Sequence, residues 1–486
     1  MRNFGVAGAM RGLVFLLCGI VATHAAFARA PHRATPFIAI GPRITPLATT
    51  AKPMQALFSC QVGLAGFVCY DPIQMRRAYA IDALLGAGYD GTGHTIVIVD
   101  AFQSPTLAAD LDTFSANYTL PLLASNYFSQ VAPDGLTPFD PNDDNMQGWA
   151  GEITLDVEWA HAIAPGAKIV LVLAKSNDDA DILSATRYAV DHQLGDVISM
   201  SFGGNESCVD DDLIAAQHDV FADATRKGIT LLASSGDEGA AQQTCDGESW
   251  TRAVSSPASD PLVTAVGGTE LHAADYCLTV LGCDPATHPL PGTYAGEVAW
   301  NEGGSIASGG GFSVVFDAPP YQKSAVSGVK QRAVPDVAYN GAVNHGVIVR
   351  LQGAWYVFGG TSAGSPQWAG IVAVTAQRAG HSLGFINSAL YQVRQVTRAY
   401  PVSFNDILGG NNSVLEDDSD GNPVPVLGFS AGASWDPATG VGSPIHASLA
   451  GFMIRYWSPG DGEAAIATTK LHPDAKVVGH GHVTPH

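Results

Sequence analysis

Five short runs of aliphatic and β-branched residues recur between helical patterns: Thr95 to Asp100 (TIVIVD), Lys168 to Ala174 (KIVLVLA), Val197 to Phe202 (VISMSF), Ile229 to Ser234 (ITLLAS) and Leu262 to Gly267 (LVTAVG). Ala180 to Gln193 and Asp211 to Lys227 are two of the intervening helices. An apolar run without alternation is a strand covered on both faces, and strands separated by helices join in parallel because the crossover returns the chain to the same end of the sheet. These residues predict an α/β fold with a mostly parallel central sheet and helices on both faces.

Further along, Val347 to Leu351 and Ala354 to Phe358 flank Gln352-Gly353, a hairpin that leads straight into Gly359-Gly360-Thr361-Ser362. Ser365 to Ala379 follows as an Ala-rich helix with Pro366 in its first turn. There is no internal repeat. Residues 31–58 mix Pro, Ala and Thr without a period and read as a linker or short pro-region, ahead of a folded domain over 59–457 whose core begins near Tyr70. Residues 458–486 read as a disordered tail; His480, His482 and His486 offer metal ligands there, but a disordered terminus is the simpler reading.

Residues 1–30 have the pattern of an export signal: Arg2 and Arg11, an apolar stretch from Gly12 to Ala22, then small residues at Ala26, Ala28 and Ala30. A lipid anchor on Cys18 competes with that reading, although Leu16 and Leu17 are a poor acylation context. No later run is long and apolar enough to span a bilayer. The formal charge of −21 repels nucleic acid and anionic membranes. The expectation is therefore a secreted or periplasmic monomer whose partners are proteins or peptides, with neither nucleic acid nor a membrane among them. Cys60, Cys69, Cys208, Cys245, Cys277 and Cys283 follow the signal. In an exported chain these predict disulfides, and local closure pairs 60 with 69, 208 with 245 and 277 with 283.

The sharpest chemical signal is Gly360-Thr361-Ser362-Ala363-Gly364-Ser365-Pro366. A serine at the head of a small-residue helix has an exposed oxygen and a free backbone N–H for an oxyanion, whereas Gly-Ser segments elsewhere are simply loops. Glu152 and Asp156 stand at i and i+4, on one helical face. Such a pair is either a solvated acidic face or, given Ile153, Leu155, Val157, Trp159 and Ile163 around it, a partly buried pair sharing a proton. Asp237, in Ser235-Gly236-Asp237-Glu238-Gly239, follows a strand, where parallel sheets place ligand sites; it would equally serve a turn. Asn405-Asp406-Ile407 and Gly432-Ala433-Ser434-Trp435-Asp436 combine carboxylates with loop carbonyls, the oxygen set calcium prefers, though Asx turns would explain each piece.

Taken in order, these motifs resemble the sedolisin, or serine-carboxyl peptidase, family, whose fold is like that of subtilisin. The resemblance runs from about Tyr70 to Tyr456 and includes Ala164-Pro165-Gly166-Ala167, Val197-Ile198-Ser199-Met200-Ser201-Phe202-Gly203, Pro257-Ala258-Ser259-Asp260-Pro261, Gly309-Gly310-Gly311-Phe312-Ser313 and Val334-Pro335-Asp336-Val337. It implies Ser362 as nucleophile, Glu152 as general base, Asp156 coupled to Glu152, and Asp237 as a protonated donor to the oxyanion. It also implies one calcium ion held by side chains of Asp406 and Asp436 and carbonyls of Ile407, Gly432 and Ser434. Two departures stand out: the family carries a long folded prosegment, for which residues 31–58 are too few, and Ser434 stands where glycine is common.

Two rival readings remain at this level. One is a subtilisin-like enzyme using Asp100 and His161 with Ser362, although no His-Gly-Thr-His motif follows Asp100. The other is a non-catalytic secreted binding protein on the same scaffold.

Overall fold

The computed structural model describes residues 32–47, 56–62, 65–123, 126–274 and 292–472. The signal segment, the Cys277–Cys283 pair and the tail histidines lie outside them. In chain order the elements that build the site are β1 (Thr35–Pro36), β2 (Ala39–Ile44), β3 (Thr95–Ala101), β4 (Phe128–Val131), α1 (Asp144–Ile163), β5 (Lys168–Ala174), α2 (Asp179–Asp191), β6 (Val197–Met200), β7 (Phe202–Asn205) and α3 (Asp211–Arg226). After these come β8 (Thr230–Ser234), β9 (Thr264–Ala273), β10 (Tyr294–Ala299), β11 (Val337–Asn340), β12 (Gly346–Leu351), β13 (Ala354–Gly359) and α4 (Gly364–Ala379).

The central sheet has the order β10-β9-β8-β6-β3-β5-β4, with β11 paired to β9. Its pairings are parallel except that of β9 with β10. In β3 every residue from Ile96 to Ala101 is buried, as expected of a strand sandwiched between helices. Helices α1 and α4 pack on each other and on the sheet, and α2 and α3 likewise. This is the subtilisin-like α/β architecture read from the sequence.

Helix α1 starts where Asp143 accepts hydrogen bonds from the N–H groups of Asn145 and Met146, and it ends just before Pro165. From Trp149 to Ile163 all its residues are buried, polar ones included, because α4, β3 and β12 surround it. The solvated-face alternative for Glu152 and Asp156 is thereby removed. The expected run from Val197 to Phe202 is broken at Ser201 into β6 and β7, since the Ser201 carbonyl is engaged by Phe37 and Ser362 instead of a sheet neighbour.

Disulfides join Cys60 to Cys69 and Cys208 to Cys245, as local closure predicts. Two segments differ from their sequence reading. Part of the expected linker forms β1 and β2, which pair with β7 and β13. Part of the expected tail forms a helix, Asp461–Thr468, and Leu471 bridges to Phe316. In both cases the partners lie more than 150 residues away, so no local period announces the element.

Candidate active site

Strand β13 ends at Gly359, and Gly360 adopts φ +104°, a region that side-chain-bearing residues rarely enter. The tight turn Thr361–Ala363 then enters α4, placing buried Ser362 at the head of that helix. Its Oγ lies 3.0 Å from Glu152 Oε2 and 3.1 Å from the Ser201 carbonyl oxygen, so two acceptors compete for one proton. Its N–H donates to the carbonyl oxygen of Phe37 at 3.1 Å.

Glu152 and Asp156 are both fully buried, one turn apart on α1. Asp156 Oδ1 accepts from Ser201 Oγ at 2.9 Å. Glu152 Oε1 and Asp156 Oδ2 have no other partner, and a proton held between the two groups satisfies both. Burial pushes the Glu152 carboxyl well above its usual range, and the charges of Asp156 and Asp100 add to the effect, while the Ser362 hydroxyl opposes it. Burial likewise raises Asp156, to about 8, against hydrogen bonds from Ser201 and Glu152. Two like charges at this spacing in a dry site cannot both persist, so the pair titrates as a unit that retains a proton.

Asp237 follows β8. Its Oδ1 accepts from the Thr361 N–H at 2.7 Å and the Thr361 hydroxyl at 2.9 Å. Burial, then the neighbouring Glu238, hold its carboxyl well above the ordinary value, against those two donors. A carboxyl that is neutral in weak acid can donate through its other oxygen, as an oxyanion site requires.

The four expected residues thus converge: Ser362, Glu152 and Asp156 form one hydrogen-bonded chain, and Asp237 joins through Thr361. His161 does not. Its Nε2 lies 2.7 Å from the Pro121 carbonyl oxygen, and nine residues of helix, about 13 Å, separate it from Glu152. Burial lowers it to about 4. Asp100 is fully buried beside Asp156 with neither carboxylate oxygen hydrogen-bonded, so it belongs to the carboxyl cluster and not to a triad with His161. Sequence reasoning missed that placement, and it missed Ser201, which touches both Ser362 and Asp156; a serine at the end of a buried strand, two residues before Gly203-Gly204, was the available signal.

At the expected calcium site, Asp406 Oδ1 and the carbonyls of Ser434 and Val441 lie 2.9, 3.0 and 3.0 Å from the Tyr400 hydroxyl. One hydroxyl proton cannot serve three acceptors, so the remaining lone pairs of this cradle suit a hard cation. Asp436 also organises its own turn, accepting from the N–H groups of Gly432, Ala438 and Thr439. Ser434 adopts φ +75°, which explains why glycine is favoured at that position. Ile407 is buried directly after Asp406. A separate group, Glu270, His272 and His345, has ligand atoms within 4.8 Å of one another; the sequence hides it because Glu270 and His272 lie on β9 and His345 in a turn far along the chain.

Residues 142–400 match the model of the subtilase family. Kumamolisin of Bacillus sp. (strain MN-32) is 35% identical over 404 residues, covering 81% of this chain and 65% of that protein. Sedolisin of Pseudomonas sp. (strain 101) is 32% identical over 340 residues, covering 67% of this chain and 52% of that protein. The chain therefore spans less than two thirds of the length of these relatives. The solved structure of Pseudomonas sedolisin, a serine-carboxyl proteinase in complex with two molecules of pseudo-iodotyrostatin, superposes with a TM-score of 0.65 at 29% identity and covers 80% of this chain and 98% of that one. With the fold, the ordered motifs and these relatives in agreement, the chain belongs to the subtilase family, in its sedolisin branch.

Proposed function

We propose that the chain is an acid-acting serine-carboxyl peptidase that hydrolyses peptide bonds in proteins or peptides. The observation that carries this reading is the Ser362 Oγ held 3.0 Å from Glu152, inside a buried carboxyl cluster with Asp156 and Asp100 that no histidine enters among the described residues. Ser362 Oγ attacks the scissile carbonyl carbon while its proton passes to Glu152. Asp156, sharing a proton with Glu152, leaves the pair a single negative charge, which is the form that accepts the serine proton. The oxyanion accepts hydrogen bonds from the Ser362 N–H and from neutral Asp237. The leaving amine then takes the proton from Glu152, and water hydrolyses the ester by the same path.

The chemistry explains the acid preference. A histidine near ~6.5 is protonated and inert as a base at pH 4, whereas a carboxyl pair that has lost one of two protons still accepts. A carboxyl in the role of Asp237 donates only while neutral, which acid also favours. Asp406 and Asp436, with the carbonyls of Ile407, Gly432 and Ser434, would hold one calcium ion, which would tie these loops together without entering the reaction. The export pattern and the disulfides support a secreted or periplasmic place for the protein, and a monomer is proposed as its working form.

The test is cleavage of a denatured protein at pH 3 to 5 by the purified chain and by Ser362→Ala. Loss of cleavage in the variant is expected; equal cleavage by both would overturn the assignment.

A further inference from the structure

Glu270, His272 and His345 meet outside the carboxyl cluster that surrounds Ser362. Glu270 and His272 are two residues apart on β9, so their side chains leave the same face of the sheet. Beside them β10 runs antiparallel, with Glu270 opposite Val298 and His272 opposite Gly296, and Gly296 has no side chain to cover the imidazole. His345 comes from the turn that opens β12 and adopts φ +90°, a region that a residue with a side chain rarely enters. Two hydrogen bonds hold it there: its N–H donates to the Val68 carbonyl at 2.9 Å, and its carbonyl accepts from the Asn340 side-chain amide at 2.8 Å. The Tyr70 hydroxyl fixes β9 on either side of His272, donating to the Leu271 carbonyl at 2.8 Å and accepting from the Ala273 N–H at 3.0 Å. All three side chains therefore stand on backbone that is already held in place.

The donor atoms are spaced as a metal shell would space them. Glu270 Oε1 lies 3.3 Å from His345 Nδ1 and 3.5 Å from His272 Nε2. Tetrahedral bonds of ~2.0 to 2.1 Å from one ion to imidazole nitrogen and carboxylate oxygen put neighbouring donors ~3.4 Å apart, so both distances are edges of such a tetrahedron. The third edge, between the two nitrogens, is at most 4.8 Å, and a small rotation of His272, whose side chain is 48% exposed, closes it. The two imidazoles stand edge to face with centroids 4.7 Å apart, which leaves room for that rotation. His345 Nδ1 has one other neighbour, the Asn344 carbonyl oxygen at 2.7 Å. In the metal-free chain a proton on Nδ1 serves that carbonyl and Glu270 together; an ion takes its place once the ring carries its proton on Nε2.

We propose that Glu270, His272 and His345 form a second metal site, which takes one Zn²⁺ or a similar first-row divalent ion with water in the fourth position. Two imidazoles and one carboxylate are donors that zinc favours, whereas calcium takes oxygen donors, so ligand type keeps this site apart from the Asp406 and Asp436 loops. The ion ties β9 to the turn before β12. That turn also supports the approach to Ser362, because the Gly341 carbonyl accepts the Gly360 N–H at 2.7 Å and Gly360 leads into the turn Thr361–Ala363. None of the three ligands touches the carboxyl cluster, so the ion braces the scaffold and takes no part in the hydrolysis.

The experiment titrates zinc chloride by calorimetry into the full metal-free chain at pH 7 with calcium kept saturating. The parent carries Ser362→Ala against self-digestion, and His480→Asn, His482→Asn and His486→Asn so that the tail histidines bind no metal. One zinc ion per chain is expected, and cobalt in its place should give the visible absorption of a four-coordinate ion. Glu270→Gln, His272→Gln and His345→Asn should each weaken zinc binding by at least about 100-fold, the upper end of what losing a mere outer partner of a ligand costs. Asparagine suits the positive φ at 345, and His272 is half exposed, so both variants should unfold in urea as the parent does when zinc is absent. A parent that takes up no zinc, or variants that all bind it within about tenfold of the parent, would overturn the site.

Discussion

Asp237→Asn isolates the protonation state of the expected oxyanion donor, because an amide keeps an acceptor for the Thr361 N–H and hydroxyl and never ionises. In the unfolded chain an aspartate titrates near ~3.9. In the folded chain, burial and Glu238 raise Asp237 above that value, so the native state keeps a proton that the unfolded state has lost. Stability contributed by this group is thus full below the unfolded value and falls as pH rises toward the folded one. One retained proton corresponds to a slope of about 1.4 kcal/mol per pH unit. Asp237 is partly exposed, so solvent screening limits how far its carboxyl is raised and therefore the pH range over which that slope holds. Measured by urea unfolding in a Ser362→Ala background, which prevents self-digestion, the stability of Asp237→Asn relative to its parent should therefore rise with pH above pH 4, with a slope of at most about 1.4 kcal/mol per unit. Parallel pH dependences for the two proteins would show that Asp237 is ionised when folded, and would refute its role as a neutral donor.

Two further outcomes test other parts of the structure. Chelation should lower the melting temperature of the Ser362→Ala chain by removing about 3 kcal/mol of stabilisation when calcium stands a hundredfold above its Kd, and Asp406→Asn should abolish that calcium response; a melting temperature indifferent to calcium would contradict the site. Arg332 is 0% exposed and pairs with Asp336 at 2.6 Å, so Asp336→Ala, which strands a buried guanidinium, should destabilise the fold by about 3 to 5 kcal/mol in urea unfolding.

The parallel sheet was legible because each strand carries its own signal: a run such as Ile96 to Val99 is apolar at every position since both faces are covered. Spacing likewise placed Glu152 and Asp156 on one helix face, although only packing by α4 and β12 decides that this face is buried. What stayed hidden was encoded by partners distant in sequence. Thr35 and Pro36 have no strand signature, and they form a strand only because Gly203 and Phe202 offer an unpaired edge. Asp100 invited a triad reading by its place after β-branched residues, whereas its neighbour in space is Asp156, on a helix one crossover away. The break at Ser201 followed the same rule: its carbonyl is spoken for by Phe37 and Ser362.

The central claim is that a carboxylate, not a histidine, activates Ser362. The most direct measurement is the pH profile of denatured-protein cleavage by wild type and Glu152→Gln, an isosteric change that keeps the buried shape and removes the base. Wild type should be active at pH 3 to 5 and fall toward neutrality, and Glu152→Gln should lose at least about 10²- to 10⁴-fold at every pH. Activity that rises through pH 7, or that survives in Glu152→Gln, would contradict the account.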